Sequence, residues 1–167
     1  MTYLDLYRFD GAGKLVSVMY DDRTFKDFLP GQFGEVLDEL RNEEQIVTYN
    51  APPFQLMKMI GDVDEEDAED FRSRVMDLHK LVRRASAFDI ALGKLAQGTM
   101  GNIPMSEITR FSTLEYEPRE YDIMRKVHDR LRVLKTLWGV VEAGIPLAFY
   151  HKGQRHVIEI EVPDADP

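Results

Sequence analysis

The stretch 45–60, QIVTYNAPPFQLMKMI, constrains the fold more than any other part of this chain. Ile46-Val47-Thr48-Tyr49 is a short run of β-branched and aromatic residues, the composition of a buried strand. It stops at Asn50, crosses Pro52-Pro53, and resumes with apolar spacing that predicts a short helix. A buried strand that ends in a polar residue just before a helix is where α/β sheets place ligands, outside the carboxyl end of the strand.

The residues before it predict the rest of the sheet. Tyr3, Asp5, Tyr7 and Phe9 alternate with Leu4 and Leu6, the period of a strand with two different faces. Asp10-Gly11-Ala12-Gly13-Lys14 is turn chemistry. Leu15 to Tyr20 then reads as a second strand and Arg23 to Phe28 as a short third, an antiparallel meander closed by Pro30-Gly31. Apolar residues at 33, 36, 37 and 40 have helical spacing. A helix between two strands predicts that the strand at 45–50 returns parallel into the same sheet.

The second half reads as helical. The acidic run Asp62 to Asp70 predicts a solvated helix start, because carboxylates favour the exposed amides there. It lacks the glycine and the fixed ligand positions of a calcium loop. The stripe Phe71, Val75, Leu78, Val82 and Ala85 predicts one helix. Phe88 to Ala96 predicts another, closed by Gly98, and 101–114 reads as loop. Ile123, Val127, Leu131, Leu134, Trp138 and Val141 form the clearest apolar face, with Gly144 as its C-terminal stop. Leu147 to Tyr150 and Val157 to Val162, around His151-Lys152-Gly153-Gln154, predict a terminal hairpin ended by Pro163.

At 167 residues this is one domain's length, 1–167, enough to bury about 70% of the unfolded surface. No apolar run approaches the length of a membrane span. MTYLDLYRF has no basic region followed by an apolar core, so no secretory signal is expected. The chain has no cysteine, which excludes disulfides and thiolate metal sites and fits a cytoplasmic location. The net charge is −9, so any contact with nucleic acid has to be local. His79, His128, His151 and His156 show no ligand spacing on one element, although His151 and His156 could meet across the hairpin. Gly11-Ala12-Gly13-Lys14 lacks the length and the hydroxyl residue of a phosphate-binding loop.

The order meander, helix, strand, helices, long helix resembles the ribonuclease H-like fold, an α/β fold whose mixed central sheet is flanked by helices. Val47-Thr48-Tyr49-Asn50 followed by Phe54 resembles the second motif of the DEDD-type 3′–5′ exonucleases. Asp77-Leu78, 88–96 and Thr99-Met100-Gly101 look like the segment between the second and third motifs of that family, and 130–138 looks like its final helix. The resemblance implies a two-metal nuclease needing four carboxylates, one metal activating water and one stabilising the leaving oxygen.

Most of those carboxylates are replaced here. Asp5 stands in the first motif, but Tyr7 takes the glutamate position, Gln55 the second aspartate, and Arg130 the third. The position of the general base falls on Lys126 or Arg125. Shifting the register to Asp129 turns that residue by about 100° towards Arg125, Lys126, Arg132 and Val133, whereas Arg130 borders the apolar face through Val127 and Leu134.

The expectation is therefore a catalytically degenerate exonuclease-like module that binds single-stranded nucleic acid or a protein of nucleic-acid metabolism. Its vestigial site would comprise Asp5, Tyr7, Asn50, Phe54, Gln55 and Arg130, with phosphate binding at Arg125, Lys126 and Arg130 and no metal. A fixed guanidinium can hold a phosphate with two hydrogen bonds, and the plain alternative is a structural Asp5–Arg130 ion pair. Basic residues on 119–135, with Arg72, Arg74, Lys80, Arg83 and Arg84, could form a patch, or simply solvated faces. Tyr7, Tyr49 and Phe54 could stack bases or pack as core. The competing expectation is a divergent magnesium- or manganese-dependent exonuclease resting on Asp5, Asp10, Asp21 or Asp22, and Asp129. A third is an assembly subunit using Met19, Met57, Met59, Met76, Met100 and Met105 as a contact surface.

Overall fold

A computed structural model describes residues 1–8, 14–21, 23–29, 31–51, 57–58, 61, 63–101 and 120–163. The predicted meander forms as β1 (Thr2–Arg8), β2 (Lys14–Met19) and β3 (Phe25–Phe28), antiparallel throughout. Helix α1 (Gly34–Leu40) follows, and β4 (Ile46–Thr48) returns parallel to β1, pairing Tyr3 with Val47 and Leu4 with Thr48. Both expectations for this half hold. The expected loop at 101–114 falls, apart from Gly101, outside the described residues, as do most of the residues expected to form a helix after Pro53.

The helix expected across 71–85 is instead three elements. Helix α2 (Glu65–Arg74) ends at a fifth strand, β5 (Val75–Asp77), parallel to β4, and α3 (Leu78–Ser86) starts directly after it. Phe71 packs with Leu4, Val16, Phe28, Ile46, Val36 and Leu40, whereas Leu78 and Val82 pack under Tyr3, Val47 and Tyr49 on the opposite face of the sheet. One straight helix cannot reach both faces. Their spacing imitates a single stripe because a three-residue strand costs little phase. The acidic start of α2 is as expected: Asp64 caps it by accepting the Glu66 N–H at 2.8 Å.

The resulting five-stranded mixed sheet runs β3-β2-β1-β4-β5, with β2 alone opposing the other strands. Helices α1 and α2 cover one face. The other carries α3, α4 (Leu92–Met100) and the long α5 (Glu120–Glu142), whose Val127, Leu131, Leu134 and Trp138 fill the larger core. No helix among the described residues is long and apolar enough to cross a membrane. Gly144, at φ 67°, follows α5 as predicted.

Helix α4 begins four residues later than the spacing suggested and runs through Gly98 to a cap at Gly101. Gly98 is not a stop. It is a close approach, since a Cβ there would lie 2.3 Å from the Ala148 carbonyl oxygen and 2.4 Å from the Phe149 Cα. Ala148 belongs to β6 (Leu147–His151), which pairs with β7 (Gln154–Ile158) as a separate hairpin. The second strand starts at Gln154, three residues before the expected Val157. Lys152 and Gly153 both take positive φ, 50° and 79°, so the turn is a two-residue one of the primed kind and pairing begins at once.

Candidate functional site

The face of the sheet beneath α5 carries a polar row. Asp5 on β1 lies opposite Ser17 on β2, and Ser17 lies opposite Asp27 on β3. Strand alternation sets all three on the helix side among Tyr3, Leu15 and Met19. Asp5 is 4% exposed and Ser17 is fully buried, so each needs a partner. Helix α5 supplies two of them. Arg130 Nε donates to Asp5 Oδ2 at 2.7 Å, with Nη2 at 3.5 Å from Oδ1. His128 Nε2 lies 2.9 and 3.0 Å from the two Asp27 oxygens, and Ser17 Oγ donates to Asp27 Oδ1. Phe25 stacks on the His128 ring at 4.0 Å, and the Arg132 guanidinium lies 4.9 Å over Phe25.

At the carboxyl end of β4 the sheet opens into a cleft of about 360 Å³, lined by Tyr49, Asn50, His79, Asp89, 90–92 and Arg130. This is the expected place. Asn50 adopts the left-handed conformation, φ 55°, which asparagine tolerates better than most residues. Its N–H donates to Asp77 Oδ1 at 2.9 Å, and the same oxygen accepts the His79 N–H at 3.0 Å to cap α3. One carboxylate therefore holds both the strand end and the helix start. His79, nearly buried, places Nε2 2.7 Å from Asp89 Oδ1 and meets the Tyr49 ring edge-on at 5.3 Å. The Tyr49 hydroxyl donates to the Ile90 carbonyl. Burial, reinforced by the Asp77 and Asp89 charges, pushes that phenol well above its ordinary pKa, so it stays a neutral donor.

Of the expected vestigial residues, Asn50 and Arg130 line the cleft and Asp5 reaches it through the ion pair. Tyr7 is placed by its backbone opposite Leu15, while Phe54 and Gln55 lie outside the described residues. Arg125 is exposed and Lys126 half-buried on α5, and neither lines the cleft. Tyr49 is core, 4% exposed, rather than a platform for bases.

Asp77, His79 and Asp89 were missing from the expectation. Asp77 could have been found as an acidic residue two positions before the amide it caps, but it was hidden inside the supposed single helix. Nothing in the spacing of His79 and Asp89 signals that a turn brings them together.

Arg72 and Arg74 do not join the basic residues of α5 in one patch, whereas Lys80, Arg83 and Arg84 lie exposed on α3 and Arg119 falls outside the described residues. Arg72 and Arg74 sit on α2, on the other side of the sheet from α5, pairing with Glu65, Glu69 and Asp70. Arg74 also donates to the Leu40 and Glu43 carbonyls at 2.7 Å. Asp129, the shifted-register candidate, pairs with Arg132 at 2.7 Å. Asp21 accepts from the Arg23 and Thr24 amides and the Thr24 hydroxyl in a turn, while Asp10 and Asp22 lie outside the described residues. Met19 and Met57 are buried, Met76 and Met100 pack against the core, and Met59 and Met105 lie outside the described residues. The rings of His151 and His156 do meet, at 6.1 Å, packed around Phe88. No family model, characterised protein or solved structure matches this chain.

Proposed function

We propose that this is a catalytically degenerate exonuclease-like domain of ribonuclease H-like architecture that binds single-stranded nucleic acid in the cleft at the end of β4. The observation that carries the reading is the Asp5–Arg130 pair. A guanidinium stands against the central-strand carboxylate where the resembled family would have a metal-binding aspartate. The strand order β3-β2-β1-β4-β5, with only β2 reversed, supports the architecture.

Two carboxylates of this face are already engaged, which supports a reading without two divalent cations. Asp5 is held by Arg130, Asp77 is committed to two amides, and among the described residues no three His, Asp or Glu side chains converge to hold a metal ion. What the cleft offers is the Arg130 guanidinium and Asn50, groups that grip a phosphate or a base edge without a metal, beside a His79 imidazole that meets the Asp89 carboxylate. On a chain of net charge −9 such binding is local and weakens with salt.

Fluorescence anisotropy with labelled single-stranded DNA and RNA tests this. We expect binding that falls as salt rises, and a loss of roughly tenfold in the Asp5→Asn/Arg130→Gln double variant, which removes the guanidinium without leaving a lone buried charge. Affinity indifferent to salt, or unchanged in the double variant, sinks the nucleic-acid reading and points to a protein partner. Degradation of the strands with magnesium or manganese, abolished by Asp5→Ala, would replace it with an exonuclease.

A further inference from the structure

The two edges of the terminal hairpin are treated differently, although the same cross-strand pair faces both. Ala148 on β6 lies directly opposite Val157 on β7. In an antiparallel ladder, opposed residues either exchange both hydrogen bonds or turn both away. Ala148 turns its groups away: its N–H donates to Thr99 Oγ1 at 2.9 Å, and its carbonyl accepts from the same hydroxyl at 3.1 Å. One threonine on α4 thereby closes that edge, and Gly98 lets the helix come near enough to do it. Val157 must turn its own N–H and carbonyl towards the other edge, and among the described residues nothing meets them. Arg155 shares that parity, and Glu159 follows one residue beyond the strand.

Helix α3 approaches β7, and Glu159 just beyond the strand lines a cleft with Leu81, Arg84 and Ala85. Strand β7 contains no proline and no bulge, and its one charged side chain is Arg155. The outer edge of the large sheet has Lys26 and Asp27 on β3, and β5 at the opposite edge is only three residues long. Val157 is 55% exposed, with Arg155 and Glu159 exposed on either side of it.

The pattern is self-complementary. We propose that β7 is the contact edge for a second copy of this chain, the two strands pairing antiparallel about a two-fold axis at Val157. In that register Val157 faces its own copy, and Arg155 of each chain faces Glu159 of the other. Arg155 and Val157 turn their backbone groups outward, and with the strand extended by one residue Glu159 joins them, so the two two-stranded hairpins become one continuous four-stranded sheet. A slip of one residue would set outward-turned groups against inward-turned ones. A slip of two would put Arg155 opposite Val157 and lose the charge pairing.

A seam of one short strand lies below standard interface size, and each copy carries −9, so the dimer forms reversibly as concentration rises. Sedimentation velocity of the full chain at near-physiological salt, from about 1 to about 500 µM, reads it. The mass should climb from one chain towards two. Arg155→Glu alone, or Glu159→Arg alone, should hold the protein monomeric, and the combined reversal should restore dimerisation to within about threefold of the wild type. Both positions are exposed, and an unchanged thermal unfolding curve shows that each variant is folded. A wild-type monomer across the range, a dimer indifferent to either single reversal, or a combined variant that stays monomeric overturns the proposal.

Discussion

Arg130 illustrates how one side chain serves both the fold and the cleft. Its guanidinium satisfies Asp5, which is almost wholly buried, while also lining the cleft beside Asn50 and His79. Truncating it leaves a carboxylate uncompensated below α5, so Arg130→Ala should lower stability by about 3 kcal/mol, read from the urea midpoint. Adding Asp5→Asn should recover a large part of that loss, because the stranded charge is gone. If Arg130→Ala costs as much in the Asp5→Asn background as in the wild type, the pair is not the source of the effect. The ion pair was legible beforehand because Arg130 borders the apolar face of its helix. The Asp27–His128–Ser17 partners were not, since nothing in their spacing links a short third strand to a helix about a hundred residues later.

At the scale of elements, α4 meets β6 closely enough for helix side chain and strand backbone to bond directly. Gly98 sits where any Cβ would strike the Ala148 carbonyl, and neighbouring Thr99 exchanges two hydrogen bonds with Ala148. Gly98→Ala normally favours a helix by nearly 1 kcal/mol. Here it should destabilise by about 2 kcal/mol or more, because rigid backbone is what must move; a variant as stable as the wild type would show that the helix can step back freely. Local patterning revealed α1 and α5, each packed on one core, and the meander and β4, whose strands face both. It failed at 71–85, where residues of two cores on opposite faces fell in a single helical phase. It also misread Gly98, because a glycine that ends a helix and one that admits a neighbour look alike in sequence.

For the molecule as a whole, charge sets the limits of stability. Glu39 on α1 lies below its usual carboxylate range, chiefly through its hydrogen bonds with Lys26 and with Tyr20. Turn amides, first of all that of Arg23, do the same for Asp21. A lowered folded pKa stabilises above the unfolded value, and that stability is lost as pH falls towards the folded one. The acid limb should therefore begin near pH 4 to 4.5, at about the ordinary carboxylate value. Tyr20 is shifted the other way, mainly by burial and then by Glu39. Its contribution is complete below about pH 10 and declines above that. Denaturation midpoints measured across pH should show both limbs, and Glu39→Gln should flatten part of each. An unchanged profile would mean that this network does not govern either end.

The row Asp5–Ser17–Asp27 has a further consequence for how α5 finds its place. Its apolar stripe repeats every three or four residues, and hydrophobic burial by itself carries no direction. Arg130 and His128 point to different strands and must each meet a carboxylate, so they index the helix in translation and rotation together. A slip of α5 by one turn would part Asp5 from Arg130 and Asp27 from His128. The two polar contacts thus act less as adhesive than as a key, widening the energy gap between the native packing and its near neighbours.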